Sequence, residues 1–275
     1  FWQTFHSGAY EKIPDALTAL KGAYLQNPND ATTAAHIGFM HMWRLAENGR
    51  LSTRSPDITD NATLAHKYFQ EAHALRPDDA RFTGFLASST LAEGGIHQDE
   101  KLTRQGYYLL KEAVAAWPEF NLFTAGYVMS SKPFDSPQFK EGLAQMWQNM
   151  EACQGAPVDR QRPSYRPVAE KIADEKTQHA CGNSWITPHN MEGFFLNMGD
   201  MLVKAGDWQT AKNVYREAQA QPTYAKWPYA SILEKRIEQA EQNVAIFRQV
   251  PSSTDKISPR MMNQSTFACM ACHQN

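Results

Sequence analysis

Residues 191–222 read MEGFFLNMGDMLVKAGDWQTAKNVYREAQAQP, and they predict two helices joined by a tight turn. Apolar residues recur every three or four positions in both halves, which is the spacing of a helix with one buried face. Gly199 is the small residue that two closely crossing helices need, Gly206-Asp207 makes the turn, and Pro222 ends the second helix. Because neither apolar face is buried until the helices pack, this stretch predicts an all-α fold.

The same pattern recurs through the first half of the chain. Amphipathic helices end before Pro28, Pro77 and Pro118, and each would leave an apolar face exposed if it stood alone. Small residues at the helix crossing, a Gly-Asp turn, then an aromatic residue, alanines and a proline resemble the tetratricopeptide repeat. The resemblance implies stacked antiparallel helix pairs with a concave surface, and a non-repeating helical bundle is the alternative.

The predicted organisation is one large helical domain followed by a short segment. We expect residues 1–250 to form the TPR-like domain and residues 251–275 to form a separate C-terminal segment. An insertion at residues 48–60 and a long irregular excursion at residues 151–188 depart from the repeat. A final long helix is predicted at about residues 228–249, where it would cap the open end of the stack.

The composition is that of a globular protein without a strong net charge. Hydrophobic residues make up 42% of the chain and aromatic residues 11%, which suffices for a core. The 27 basic and 29 acidic residues nearly cancel, so the charge pattern does not suggest a nucleic-acid partner. No stretch reaches the roughly 18 apolar residues of a membrane helix. The chain opens at Phe1-Trp2 without Met, so we expect that a signal segment or a membrane anchor has been removed.

The chain has four cysteines, in two separate groups. Cys153 and Cys181 lie in the long excursion, and we expect them to form a disulfide, with two unpaired cysteines as the alternative. Closing a loop of this length contributes roughly 3–4 kcal/mol in the chain-entropy account. A disulfide fits an oxidising compartment, so we expect a periplasmic or otherwise extracytoplasmic location.

The other two cysteines belong to the sequence FACMACHQN at residues 267–275, which contains a Cys-x-x-Cys-His motif. With four cysteines and nine histidines in 275 residues, about 0.001 such motifs are expected by chance. The spacing suits covalent haem, because each thiol can add across one vinyl group at the same porphyrin edge while the next histidine ligates the iron. Cys269 and Cys272 would be the tethers and His273 the proximal ligand.

Structural zinc and a redox dithiol are the competing uses of this motif. Zinc takes four ligands, and the adjacent Cys272 and His273 can hardly both reach one tetrahedral ion. A thioredoxin-like dithiol needs a βαβ setting, which a helical chain does not offer. Covalent haem is therefore the favoured interpretation.

The last dozen residues thus resemble the haem-attachment segment of a single-haem c-type cytochrome, here appended to a TPR-like domain. The resemblance implies one haem c and an extracytoplasmic compartment. So short a segment cannot bury a porphyrin, so we expect it to fold back against the repeats or the excursion. Met261, Met262, Phe267 and Met270 are the apolar candidates for lining the pocket.

The sixth iron ligand is the main functional question. His189 is the first candidate, because it begins a predicted helix beside the excursion; a surface histidine or an empty sixth position are the alternatives. His36 and His41 are predicted to be packing residues, and Arg160, Arg162 and Arg166 are either partners of the haem propionates or solvated loop residues. The wider candidate set comprises His6, His66, His73, His97, His179 and the methionines, of which Met40, Met42, Met198 and Met201 are predicted to be core residues.

Three functions are compatible with these features. The favoured one is electron transfer without enzymatic turnover, in which the helical scaffold docks a redox partner protein. The second is an open-site haem enzyme or gas sensor with peroxidase-like chemistry, for which no catalytic residue stands out. The third is a protein-interaction scaffold that carries an accessory haem. The sequence does not indicate the oligomeric state.

Overall fold

A computed structural model describes residues 1–51, 53, 56–169, 180–182, 190–249 and 258–274. Over these ranges the chain contains no β-strand, and none of its helices is long and apolar enough to cross a membrane. The helices are α1 Trp2–His6, α2 Ile13–Gln26, α3 Ala31–Ala46, α4 Asp60–Leu75, α5 Ala80–His97, α6 Glu100–Ala116, α7 Pro118–Met129, α8 Pro137–Gln154, α9 Met191–Ala205, α10 Trp208–Gln219, α11 Ala230–Glu238, α12 Ala240–Phe247 and α13 Met270–His273.

The helices pack in adjacent pairs, so the predicted all-α, TPR-like fold class is confirmed. Backbone contacts group the chain into unit 1, Phe1–Ala125, and unit 2, Gly126–Asn275, with the boundary inside α7. The predicted division at residues 250 and 251 falls outside the described residues and stays a prediction.

Unit 1 repeats one helix-ending device three times. Helices α2, α4 and α6 are followed by Asn27, Arg76 and Trp117, whose φ angles are −139°, −139° and −151°. Each of these residues precedes a proline, and the proline ring favours such extended backbone in the residue before it. Asp30 and Asp79 then begin the next helices by accepting backbone N–H groups at 3.0 and 3.1 Å. The proline signals in the sequence therefore mark real helix ends.

The core of unit 1 combines small residues with phenylalanine rings. A Cβ on Gly38 of α3 would lie 3.1 Å from the ring of Phe69 on α4, so the glycine permits the close crossing. The rings of Phe39 and Phe85 meet with centroids 4.5 Å apart. The cluster of buried residues around them comprises Ala31, Ala34, Ala35, Ala65, Phe69, Ala72, Phe82 and Leu86.

Unit 2 is organised around α9, which is buried on every side from Met191 to Lys204. Helices α8, α10, α12 and α13 and the 3-10 turn Met262–Gln264 all pack against it. The predicted close crossing is confirmed, because a Cβ on Gly199 would lie 2.2 Å from the ring of Tyr215. Gly206 ends α9 with a φ of 103°, a left-handed conformation that glycine adopts without strain.

Two sequence-based boundaries were wrong. The helix predicted at residues 228–249 is two helices, α11 and α12, and Gln239 between them has non-helical angles of φ −100° and ψ 15°. The excursion predicted to begin at residue 151 begins later, because α8 continues to Gln154. No proline or glycine marks the break at Gln239, whereas α8 does end at a glycine, Gly155, which has a left-handed φ of 69°.

The predicted disulfide is confirmed: Cys153 and Cys181 are bonded, with their Cα atoms 5.4 Å apart. Tyr165 lies between them in the chain, and its hydroxyl donates a hydrogen bond of 2.6 Å to the Cys181 carbonyl. The backbone N–H of Tyr165 donates to the carboxylate of Glu217 on α10 at 2.8 Å. The described part of the excursion is therefore fastened to unit 2.

Candidate functional site

The Cys-x-x-Cys-His motif forms a single helical turn. The backbone N–H groups of Cys272 and His273 both donate to the carbonyl of Cys269, at 3.1 Å each. Cys269 precedes Cys272 by three residues and His273 by four, so it neighbours both on the turn, whereas the adjacent Cys272 and His273 project about 100° apart. The structure thus brings together the three residues that the sequence predicts to hold haem.

The motif rests on the N-terminal end of α9. The N–H of Asn190 donates to the Cys272 carbonyl at 2.7 Å, and the indole N–H of Trp227 donates to the Ala271 carbonyl at 2.9 Å. A Cβ on Gly193 would lie 2.5 Å from the Cys272 Sγ and 2.6 Å from the Ala271 carbonyl oxygen. The expectation that the C-terminal segment folds back on the helical domain is therefore confirmed within unit 2.

Aromatic residues also stack on or hydrogen-bond the C-terminal segment. Tyr229 stacks on Phe267 with ring centroids 5.1 Å apart, and its hydroxyl donates to the Gln274 side chain at 2.7 Å. The hydroxyl of Tyr127 donates to the Ala268 carbonyl at 3.3 Å. Of the residues predicted to line a pocket, Met261, Met262 and Met270 are buried and Phe267 is half-buried.

The two cysteines of the motif are chemically unequal. Cys272 is buried, whereas Cys269 is half-buried, and both remain thiols. Burial raises the pKa of the Cys272 thiol well above its ordinary value, and the negative charge of Glu192 adds to the effect. The surroundings of Cys272 therefore disfavour its thiolate form.

The motif supplies the residue types that covalent haem attachment uses. Two thiols and an imidazole lie within one helical turn, and Cys272 packs where Gly193 has no Cβ. Across the ranges that the structure describes, no group of three or more His, Cys, Asp or Glu side chains is arranged to hold a metal ion.

The predicted distal ligand cannot be placed. His189 and His179 lie outside the described residues. The other candidate histidines belong to unit 1, where two of them pack as predicted. His36 stacks on Phe1 with centroids 4.0 Å apart, and burial lowers its pKa to about 4. His41 is buried and hydrogen-bonds the Asn61 side chain at 2.9 Å.

The methionines predicted to be core residues do pack in the core. Met40, Met198 and Met201 are fully buried, and Met42 is partly buried against the unit 1 cluster. This agrees with a packing role, because the flexible thioether fills irregular gaps.

The arginines of the excursion lie on the surface. Arg160 contacts Glu151 at 4.0 Å, Arg166 contacts Glu217 at 3.6 Å, and both are exposed, as is Arg162. Their proposed pairing with haem propionates stays a prediction.

Sequence reasoning missed the residues that receive the motif. Gly193 and Trp227 contact Cys272 and Ala271, which lie far along the chain. Their residue types were the only sign in the sequence that they take part in such contacts. A glycine in the first turn of an otherwise apolar helix indicates a close backbone approach, but not its partner.

Comparison with known proteins gave no match to a family, to a curated protein or to a solved structure.

Proposed function

We propose that the chain is an extracytoplasmic monohaem c-type cytochrome that transfers electrons through one covalently attached haem c. The observation that supports the proposal is the single helical turn that contains Cys269, Cys272 and His273. Cys269 and Cys272 would hold the porphyrin edge through thioether bonds, and His273 would be the proximal ligand. When bound, the haem would supply an iron that alternates between the ferric and ferrous states.

The residues around the motif support this role by fixing its backbone. Asn190 and Trp227 hold the carbonyls of Cys272 and Ala271, so the turn that carries His273 has a set position. An electron-transfer site benefits from ligands that are held in place by their surroundings. The disulfide between Cys153 and Cys181 supports an oxidising compartment.

The direct test is haem attachment in cells that can mature c-type cytochromes. The full chain should retain haem on a denaturing gel and give a c-type absorption spectrum. The Cys269→Ala, Cys272→Ala double variant should lose both signals. The Cys153→Ala, Cys181→Ala double variant is the matched control, because it removes two cysteines outside the motif and should keep the haem. A wild-type chain without covalent haem under these conditions would refute the proposal.

The spectrum also separates electron transfer from the open-site alternative. A low-spin, six-coordinate spectrum in both oxidation states supports electron transfer, whereas a high-spin spectrum that changes with CO or peroxide supports an enzyme or sensor. If His189 is the distal ligand, His189→Ala should convert the low-spin spectrum to high spin. The third function, a scaffold with an accessory haem, predicts that the haem-free double variant still binds its partner fully.

A further inference from the structure

A buried ion pair lies beneath the C-terminal segment. Asp200 on α9 is fully buried and Arg236 on α11 is 4% exposed, and the Arg236 Nε donates to the Asp200 Oδ1 at 3.0 Å. The hydroxyl of Tyr215 on α10 donates to the same oxygen at 2.7 Å. Three helices of unit 2 therefore meet at one carboxylate.

Each member of the pair also bonds the backbone of the C-terminal segment. The N–H of Met262 donates to the Asp200 Oδ2 at 2.7 Å. The Arg236 Nη2 donates to the carbonyl of Arg260. Asp200 thus bonds a residue 62 positions further along the chain, and Arg236 bonds one 24 positions further along.

A buried ion pair is weak evidence of stabilisation by itself. Removing two charges from water costs free energy that their attraction repays only when the remaining hydrogen-bonding capacity is also satisfied. Here the C-terminal segment supplies part of the required hydrogen bonding, through the Met262 N–H and the Arg260 carbonyl. The pair and the segment therefore depend on each other.

The pair and the motif contact lie on the same side of α9. Gly193, which contacts Cys272, and Asp200, which contacts Met262, are seven residues apart, which is about two turns or 10 Å along the helix. The segment is thus fixed to one helix face at two separated points. Two such points set the orientation of the segment as well as its position.

We propose that Asp200 and Arg236 are positioning residues that fasten residues 260–274 to α9 and so hold the Cys-x-x-Cys-His turn in place. The fastening concerns the polypeptide alone. Only its consequence, that the pair sets the position of a haem, rests on the function proposed above.

The test is hydrogen exchange by mass spectrometry on the full chain and its variants. Asp200→Asn removes the charge of the pair, so exchange in residues 260–274 should accelerate by about a hundredfold while α9 and α10 change much less. Lys204→Met is the matched control, because Lys204 is a buried charge on the same helix that bonds the carbonyls of Ser130 and Lys132 instead. It should not release residues 260–274 selectively.

A second pair of variants leaves both charged residues unchanged. Met262→Pro removes the N–H that Asp200 accepts, and Met262→Ala removes the same side chain but keeps the N–H. Proline is compatible here, because Met261 has an extended ψ of 153° and residue 262 begins a 3-10 turn. Exchange in residues 260–274 should be about tenfold faster in the proline variant than in the alanine variant.

Alkylation of the haem-free chain gives an independent readout. Cys272 should react with a maleimide faster in Asp200→Asn and in Met262→Pro than in their controls. If residues 260–274 exchange no faster than α9 in both variants, the pair is a general stabiliser and the proposal is wrong. Because neither readout needs haem, failure of haem attachment would leave this proposal standing, and the reverse also holds.

Discussion

A buried acidic residue in each unit, Glu47 in unit 1 and Asp200 in unit 2, is hydrogen-bonded in a different way. In unit 1 the buried Glu47 accepts from an indole four residues earlier and from a guanidinium three residues later. In unit 2 the hydrogen bonds of Asp200 and Lys204 reach backbone groups 62 and 74 residues away. The first pattern stabilises a helix and its own end, whereas the second joins separate segments.

This difference distinguishes a unit built of repeated helix pairs from a unit whose central helix bonds other segments of the chain. The helix caps of unit 1 are local, as a repeat requires if each pair is to resemble the next, although Asn121 also reaches the Ala80 carbonyl 41 residues away. Helix α9 in unit 2 is instead buried on all sides by neighbouring elements. Its Asp200 and Lys204 side chains hydrogen-bond the backbone of distant segments. The candidate site lies in unit 2, where Asp200 bonds the segment that carries the motif.

The largest expected effect is the loss of Arg236. Arg236→Ala leaves the Asp200 carboxylate buried without its cation, and should lower the free energy of unfolding of unit 2 by about 3–5 kcal/mol. The matched change in unit 1 is Arg50→Ala, where Glu47 keeps its indole donor and the Arg50 side chain is 27% exposed; a loss of about 1 kcal/mol is expected. Urea unfolding of both variants measures the difference. Equal losses would contradict the contrast between the units.

The second expected effect concerns the two helix crossings. Gly199→Ala places a Cβ 2.2 Å from the buried Tyr215 ring and should cost about 1–3 kcal/mol, because neither helix can move freely. Gly38→Ala places its Cβ 3.1 Å from Phe69, a contact that a small shift relieves. The higher helix propensity of alanine then offsets the cost, so a change within about 0.5 kcal/mol is expected. Thermal unfolding monitored by circular dichroism distinguishes the two; a larger loss at Gly38 would show that unit 1 is the tighter of the two.

A third effect should appear as a pH dependence of unit 2. Burial lowers the pKa of Lys204 from 10.5 to about 8. Between these pH values the unfolded chain keeps a proton that the folded chain has lost, so the free energy of unfolding should rise with pH. Lys204→Met should abolish that rise in urea unfolding measured from pH 7.5 to 10.5. The exposed Lys21 of unit 1 is the control, and Lys21→Met should retain it.

Much of the fold could be predicted because its signals are local. Pro28, Pro77 and Pro118 each act on the residue before them, and Gly206 ends α9 through its own left-handed conformation. The break at Gln239 was missed because it carries no such local signal. Residue type alone thus locates a helix end only where the backbone conformation at that end favours one residue type, such as glycine or proline.

The candidate site could be predicted only in part, for a related reason. Cys269, Cys272 and His273 are close in sequence, so the motif alone identified them as a group. Gly193 and Asp200 receive the segment from about seventy residues away, and sequence spacing does not report such a pairing. A charged residue within an otherwise buried helix was the available signal, because such residues are rarely buried unless paired.

The smallest expected effect tests whether every buried polar group of α9 has a structural task. Asn197 lies between Gly193 and Asp200, is fully buried, and its Oδ1 has no hydrogen-bond partner among the described residues. Asn197→Leu should therefore change the free energy of unfolding by less than about 1 kcal/mol, because it removes an unsatisfied group and keeps a side chain branched at Cγ.

Asn121 of unit 1 is the counterpart that should behave in the opposite way. Its side-chain amide donates to the carbonyls of Ala80 and Ala113, at 3.1 and 2.9 Å, so Asn121→Leu should cost about 1–3 kcal/mol in urea unfolding. A loss of that size at Asn197 would mean that its oxygen does have a partner when the protein is in solution. Contacts that hold other parts of the chain would then run along α9 from Gly193 through Asn197 to Asp200. The two attachment points of the C-terminal segment would be part of one continuous surface.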